Sequence, residues 1–169
     1  MITNEQAQTL AKASNKSYDK DPVWDGYTAA KQFNDPNAGF QAAVFQKNGT
    51  NEFIVAFAGT SHPLDMQDNA ANIALGKPQW NNNKEDVLSC IDSLDATKID
   101  FTGHSLGGAL AQYAAYEYAS RTQNNPDAPS ISMVTFNGVF DETGNDTIYV
   151  GTGNDFVYAA GAGNDTVFG

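Results

Sequence analysis

The sequence has little positive charge, one cysteine and two histidines. Lysine and arginine number 9 against 20 acidic residues, a formal net charge of −11. Binding to nucleic-acid phosphates requires clustered lysine and arginine, so this balance excludes a nucleic-acid partner. It also disfavours electrostatic adsorption to an anionic membrane surface. With a single cysteine, Cys90, no internal disulfide can form. Cys90 stands beside Val87, Leu88 and Ile91 in a segment that reads as helix, residues 85–94, so a buried packing role is expected. No apolar run approaches the roughly 18 residues of a membrane span. The longest, residues 53–58, has the length of a buried strand. The first six residues are polar and lack a basic segment, so no cleavable signal peptide is expected there.

What is present is a chain with 41% hydrophobic residues among 169, enough to bury a core in one ordinary domain with a small appendage. Residues 3–17 read as a helix, with Thr3 as N-cap and Gln6 three residues later closing a capping box. Residues 33–39 have the composition of a loop. Residues 40–46 and 52–57 read as strands, and Asn48-Gly49 between them is a hairpin signal. A stretch of weak periodicity follows to residue 83, then a helix over 84–94 and a short strand over 98–102. Residues 106–121 form a helix carrying small residues (Ala109, Ala111, Ala114 and Ala115) that allow close approach to a sheet. Residues 131–136 form another strand. This alternation predicts an α/β fold, a mostly parallel sheet flanked by helices.

The strand-to-helix turn carries the chemistry. Gly103-His104-Ser105-Leu106-Gly107 is a Gly-X-Ser-X-Gly sequence, which places a serine on a strained turn so that its oxygen projects from the sheet edge. The two glycines relieve crowding. The N–H of Leu106 lies at a helix N-terminus, where unpaired donors and the helix dipole favour a developing oxyanion. His104 adjoins the nucleophile, and consecutive residues in such a turn point apart, so it reads as a positioning or packing residue rather than a base.

Gly103 to Ala109, together with Ala56-Phe57-Ala58-Gly59-Thr60, resembles class 3 (fungal-type) lipases of the α/β-hydrolase superfamily. The likeness runs from the first helix to about Phe140. It implies a serine esterase or lipase acting on an ester or lipid, with Ser105 as catalytic nucleophile. It further implies that Thr60 and the Leu106 N–H hold the oxyanion. Ala58 stands where the family usually has arginine, and Asp68 resembles an acidic residue that follows this loop with a structural role. The family places an aspartate and then a histidine after its serine. Here no histidine follows Ser105; the two present are His62 and His104, and Asp127 and Asp141 do not occupy the family's acid position. The expectation is therefore an incomplete α/β-hydrolase, its C-terminal part missing from the 169 residues, with His62 as a substitute base to test.

From residue 141 the composition changes. Residues 141–169 hold five acidic residues, no lysine or arginine, and six of the chain's 15 glycines. Gly144-Asn145-Asp146-Thr147-Ile148-Tyr149 recurs from Gly153 and again from Gly163. This resembles the RTX nonapeptide repeat, which implies Ca²⁺ as a structural cofactor, a short parallel β-roll and a secreted, bacterial protein. Glycine-rich turns expose carbonyls beside carboxylates, the all-oxygen environment that Ca²⁺ takes. The metal candidates are Asp146, Asp155 and Asp165; the resemblance puts Asp146 and Asp165 on one ion, with Asp155 on the opposite side. The expected division is 1–140, hydrolase-like, and 141–169, calcium-binding repeats. Two other readings stay open at this point. One is a non-catalytic calcium-binding module on a shortened hydrolase fold. The other is a peptidase or acyltransferase using the same elbow.

Overall fold

A computed structural model describes residues 3–59, 76–136, 147–149 and 166–168. Helix α1, Asn4–Lys16, starts at a complete capping box: Thr3 accepts the Gln6 N–H at 3.2 Å while Gln6 Oε1 accepts the Thr3 N–H at 2.9 Å. Strand β1, Tyr27–Asp35, β2, Phe40–Lys47, and β3, Glu52–Phe57, form an antiparallel meander. Gly49, at φ 74°, occupies the left-handed conformation that the β2–β3 turn needs. Helix α2, Lys77–Asp92, then leads to β4, Lys98–His104. Helix α3, Leu106–Thr122, leads on to β5, Ser130–Phe136. β4 pairs in parallel with both β3 and β5, so the strand order is β1-β2-β3-β4-β5. The expected parallel part runs from β3 to β5, and the meander makes the whole five-stranded sheet mixed.

The two faces of the sheet bury separate cores. Alternate residues of β2 and β3 divide between them. Val44, Val55 and Phe57 join Phe101, Trp80, Leu88, Ile91 and Leu110 beneath α2 and α3, while Phe45, Ile54 and Ala56 meet Leu10 and Ala13 of α1. Ala111 and Ala114 are fully buried, which lets α3 lie close over the strands. Cys90 is half-buried and packs against the first core, and burial pushes its thiol above the usual range. That agrees with an inert packing cysteine.

Two elements differ from the expected layout. β1 continues through Asp35, so the predicted loop over 33–39 starts later, as a turn in which Asp35 accepts the N–H groups of Asn37 and Ala38. α2 begins seven residues before the expected position 84 and contains Asn81, Asn82 and Asn83. Its start is fixed by Pro78 in the first turn and by Trp80, 1% exposed, whose Nε1–H donates to Glu117 of α3 at 2.9 Å. Burial of that indole outweighs the poor helix propensity of three asparagines.

Two short strands, β6, Thr147–Tyr149, and β7, Thr166–Phe168, pair in parallel with Thr147 opposite Thr166.

Candidate active site

Ser105 lies between β4 and α3 with φ 55° and ψ −125°. Among the described residues it is the sole non-glycine with positive φ. Such a conformation costs a serine on the order of 1–3 kcal/mol and persists only where its surroundings impose it. Three contacts impose it here. The Ser105 N–H donates to the Phe136 carbonyl at the end of β5, at 3.0 Å, and the Ser105 carbonyl accepts the Gly108 N–H at 2.9 Å. Gly103 and Gly107 close the turn on itself. A Cβ on Gly103 would overlap the Gly107 carbonyl and stand 2.8 Å from the Gly108 nitrogen. A Cβ on Gly107 would overlap the Phe57 carbonyl oxygen at the end of β3. Only glycine fits either position, because what a side chain would meet there is backbone.

The turn leaves Ser105 partly exposed at the C-terminal ends of the parallel strands, while Leu106 is 6% exposed. The Leu106 side chain is packed near Gly76, so what it can offer a substrate is its N–H. Among the described residues no acceptor takes the Leu106 N–H or the Gly107 N–H, as expected for the first turn of a helix. His104, the last residue of β4, has an exposed side chain and so has no packing role. This corrects the packing half of the expectation.

The strand that leads to Thr60 ends beside the elbow. The Ala58 N–H donates to the Gln41 carbonyl at 3.0 Å, and the Gly59 N–H donates to the Tyr18 hydroxyl at 2.7 Å. Gly59 is buried against the His104 carbonyl and the Ser105 side chain. The exits of β3, β4 and β5 and of α1 thus converge on Ser105. Thr60, His62 and Asp68 lie outside the described residues, as do Asp146, Asp155 and Asp165. Among the described residues no cluster of three or more metal-ligating side chains occurs, and no helix is long and apolar enough to cross a membrane. Tyr18 is the site residue that the sequence did not point to; its contact with Gly59 spans 41 positions, and no motif marks it.

Comparison with known proteins agrees with this geometry. The fold matches a triacylglyceride lipase from Rhizomucor miehei, at 17% identity and a TM-score of 0.53, over 86% of this chain and 64% of that one. It matches a triacylglycerol lipase described as having a serine-protease triad as its catalytic centre, at 17% identity and a TM-score of 0.56, with the same coverage of 86% and 64%. A nonglycosylated lipase of Yarrowia lipolytica matches at 15% identity and a TM-score of 0.55, over 79% of this chain and 59% of that one. The chain therefore spans about three fifths of the length of such lipases. No curated protein matches it. Residues 140–169 match the RTX calcium-binding nonapeptide repeat. Residues 9–125, more than half of the chain, match the Tle-like phospholipase domain, and the protein belongs to that family.

Proposed function

We propose that the protein is a carboxylic ester hydrolase of lipids, with Ser105 as the nucleophile. The observation that carries this reading is the Ser105 backbone at φ 55°, held between Gly103 and Gly107 at the start of a helix. Attack of Ser105 Oγ on an ester carbonyl forms a C–O bond and places negative charge on the carbonyl oxygen. The Leu106 N–H and the backbone and hydroxyl of Thr60 are the donors assigned to that oxyanion. Collapse expels the alcohol and leaves an acyl-enzyme, which water hydrolyses to the free acid. The Ser105 proton requires a base. The histidines in these 169 residues are His62 and His104, and His62, two positions past Thr60, is the one for mutagenesis to examine first. The family name points to a phospholipid ester and the structural neighbours to acylglycerols; both present the same carbonyl to Ser105.

Hydrolysis of a short-chain nitrophenyl ester by wild type and by Ser105→Ala tests the reading. Turnover that disappears in the variant supports it. Equal rates in the two proteins mean that Ser105 performs no ester chemistry. Loss of turnover in His62→Ala would identify the base, and unchanged turnover would exclude it.

The repeats form the second part of the proposal, with 1–140 as the hydrolase unit and 141–169 as a Ca²⁺-binding unit. Asp146 and Asp165 immediately precede the paired residues Thr147 and Thr166. The parallel register between the first and third repeats supports their sharing one ion, with Asp155 of the middle repeat on the other side. Carboxylates and glycine-turn carbonyls are the hard oxygen donors that Ca²⁺ takes, so the residues fit the metal. The ion would hold the repeats together and takes no part in the ester step. Titration calorimetry should show heat with Ca²⁺ that Asp146→Ala and Asp165→Ala each abolish. Heat that survives both substitutions removes the assignment. A secreted protein is the setting in which such repeats fit.

A further inference from the structure

Tyr18 is the half-buried residue next to the elbow that the proposed chemistry leaves unused. It follows Ser17, the residue that ends α1 and whose hydroxyl is buried on the Ser14 carbonyl at 2.7 Å. α1 is itself seated on β4: Leu10 and Ala13 are buried in the core, and the buried Thr102 hydroxyl donates to the Leu10 carbonyl at 3.3 Å. The position of Tyr18 is therefore set by the same strand that leads into Ser105. Its hydroxyl accepts the Gly59 N–H at 2.7 Å. A single methyl placed on Gly59 would stand 2.7 Å from that hydroxyl, 2.7 Å from the His104 carbonyl oxygen and 3.4 Å from Ser105 Cβ, so the phenol and the elbow both pack around Gly59.

We infer that Tyr18 is a positioning residue of the ester-hydrolysing site: its hydroxyl fixes the Gly59 peptide beside Ser105, one position before Thr60 in the sequence. This rests on the hydrolase reading above. The physical argument is one of aim. β3 stops at Phe57, and among the described residues the two that follow make no backbone hydrogen bond other than the one from the Ala58 N–H to Gln41. Donors to an oxyanion contribute only when their positions are fixed before reaction. The Tyr18 hydroxyl supplies the missing anchor on Gly59, one residue before Thr60. As a hydroxyl it keeps a hydrogen to donate after accepting this bond. No described residue takes that hydrogen.

The effect should be specific to the hydroxyl and should fall on kcat. Tyr18→Phe keeps the ring and removes only the oxygen. For nitrophenyl butyrate, kcat should fall by about ten-fold or more, short of the roughly 10²–10³-fold lost when an oxyanion donor is removed outright. KM should stay within about two-fold, because ground-state binding of the ester does not use the anchor. The far-ultraviolet circular dichroism should be unchanged. Independently of turnover, the Gly59 amide in a ¹⁵N-labelled sample should move upfield and exchange its hydrogen at least about ten-fold faster in Tyr18→Phe than in wild type. A Gly59 amide with the same shift and exchange rate in both proteins overturns the inference, whatever the kinetics. A released amide with kcat unchanged, in a wild type whose turnover Ser105→Ala abolishes, overturns the positioning role while leaving the hydrolase reading intact. Wild-type turnover equal to that of Ser105→Ala overturns the hydrolase reading and the positioning role with it, and the amide exchange then reports on the anchor alone.

Discussion

Replacing Gly107 by alanine puts one carbon where β3 and α3 touch backbone to backbone. The added Cβ would overlap the Phe57 carbonyl oxygen and stand 2.8 Å from the Phe57 carbonyl carbon and 2.9 Å from that of Ala58. Real Cβ contacts essentially never fall below 3.0 Å, and no flexible side chain lies in the way to swing aside. The start of α3 and the end of β3 must therefore part by on the order of 1 Å. Overpacking of this kind costs typically about 1–3 kcal/mol, and a backbone obstruction belongs at the upper end. At about 3 kcal/mol the melting temperature of a domain this size should fall by roughly 6–12 °C. On the proposed mechanism function should suffer more than stability, because Ser105 and the Leu106 N–H ride on the displaced helix start while Gly59, packed against Ser105, follows β3. A misplacement of about 1 Å between reacting groups is worth about a hundred-fold in rate. The assays are a thermal melt followed by circular dichroism, and nitrophenyl ester turnover corrected for the Ser105→Ala background. A Gly107→Ala protein that melts within about 2 °C of wild type and keeps its turnover would refute the claim that this contact holds the elbow in place.

Two further expectations follow from described geometry. Ser105→Gly removes the Cβ that makes φ 55° unfavourable, so it should be more stable than Ser105→Ala by on the order of 1 kcal/mol, although the proposed mechanism predicts no turnover from either; equal denaturant midpoints would show that the elbow is not strained. Burial pushes the phenols of Tyr27, Tyr113 and Tyr118 above their ordinary value of 10.0, with nearby acidic groups adding to the rise at Tyr27 and Tyr118. A group raised on folding contributes stability that is complete below its unfolded pKa and is lost as the pH climbs through the folded one. The Cys90 thiol, raised by burial from 9.0, starts the same loss at lower pH. Melting temperatures should therefore begin to fall near pH 9 and fall more steeply above about pH 10; an unchanged melt at pH 11 would place these groups in water.

The parts of the site legible in the sequence are those that local chemistry imposes. A serine between two glycines, after an apolar strand and before an alanine-rich helix, has few structures open to it, and the elbow is where it was expected. The same holds for the Thr3–Gln6 capping box and the Asn48-Gly49 turn, each specified within four residues. Edges and long-range contacts were not legible. β1 lies at the rim of the sheet and buries neither face completely, so its last residues, Phe33, Asn34 and Asp35, read as loop although all three pair with β2. The first two turns of α2 carry an asparagine run whose low propensity masks a helix held by one buried tryptophan. Tyr18 reaches Gly59 only after α1 has docked on β4, and no local pattern encodes that.

The order of strands across the sheet is also their order along the chain. Each new strand is laid against the one made just before it, first by a tight turn and then by a helical crossover. A ribosome releasing the chain from its N-terminus could thus build the sheet by accretion, one strand at a time, with no early strand waiting for a late one to be inserted between it and its neighbour. The exception is Ser105. The Ser105 N–H finds its acceptor on Phe136, some thirty residues later, so the reactive turn is completed only when the last strand of this sheet is in place. A partly synthesised chain would then carry its serine without the backbone shape that arms it.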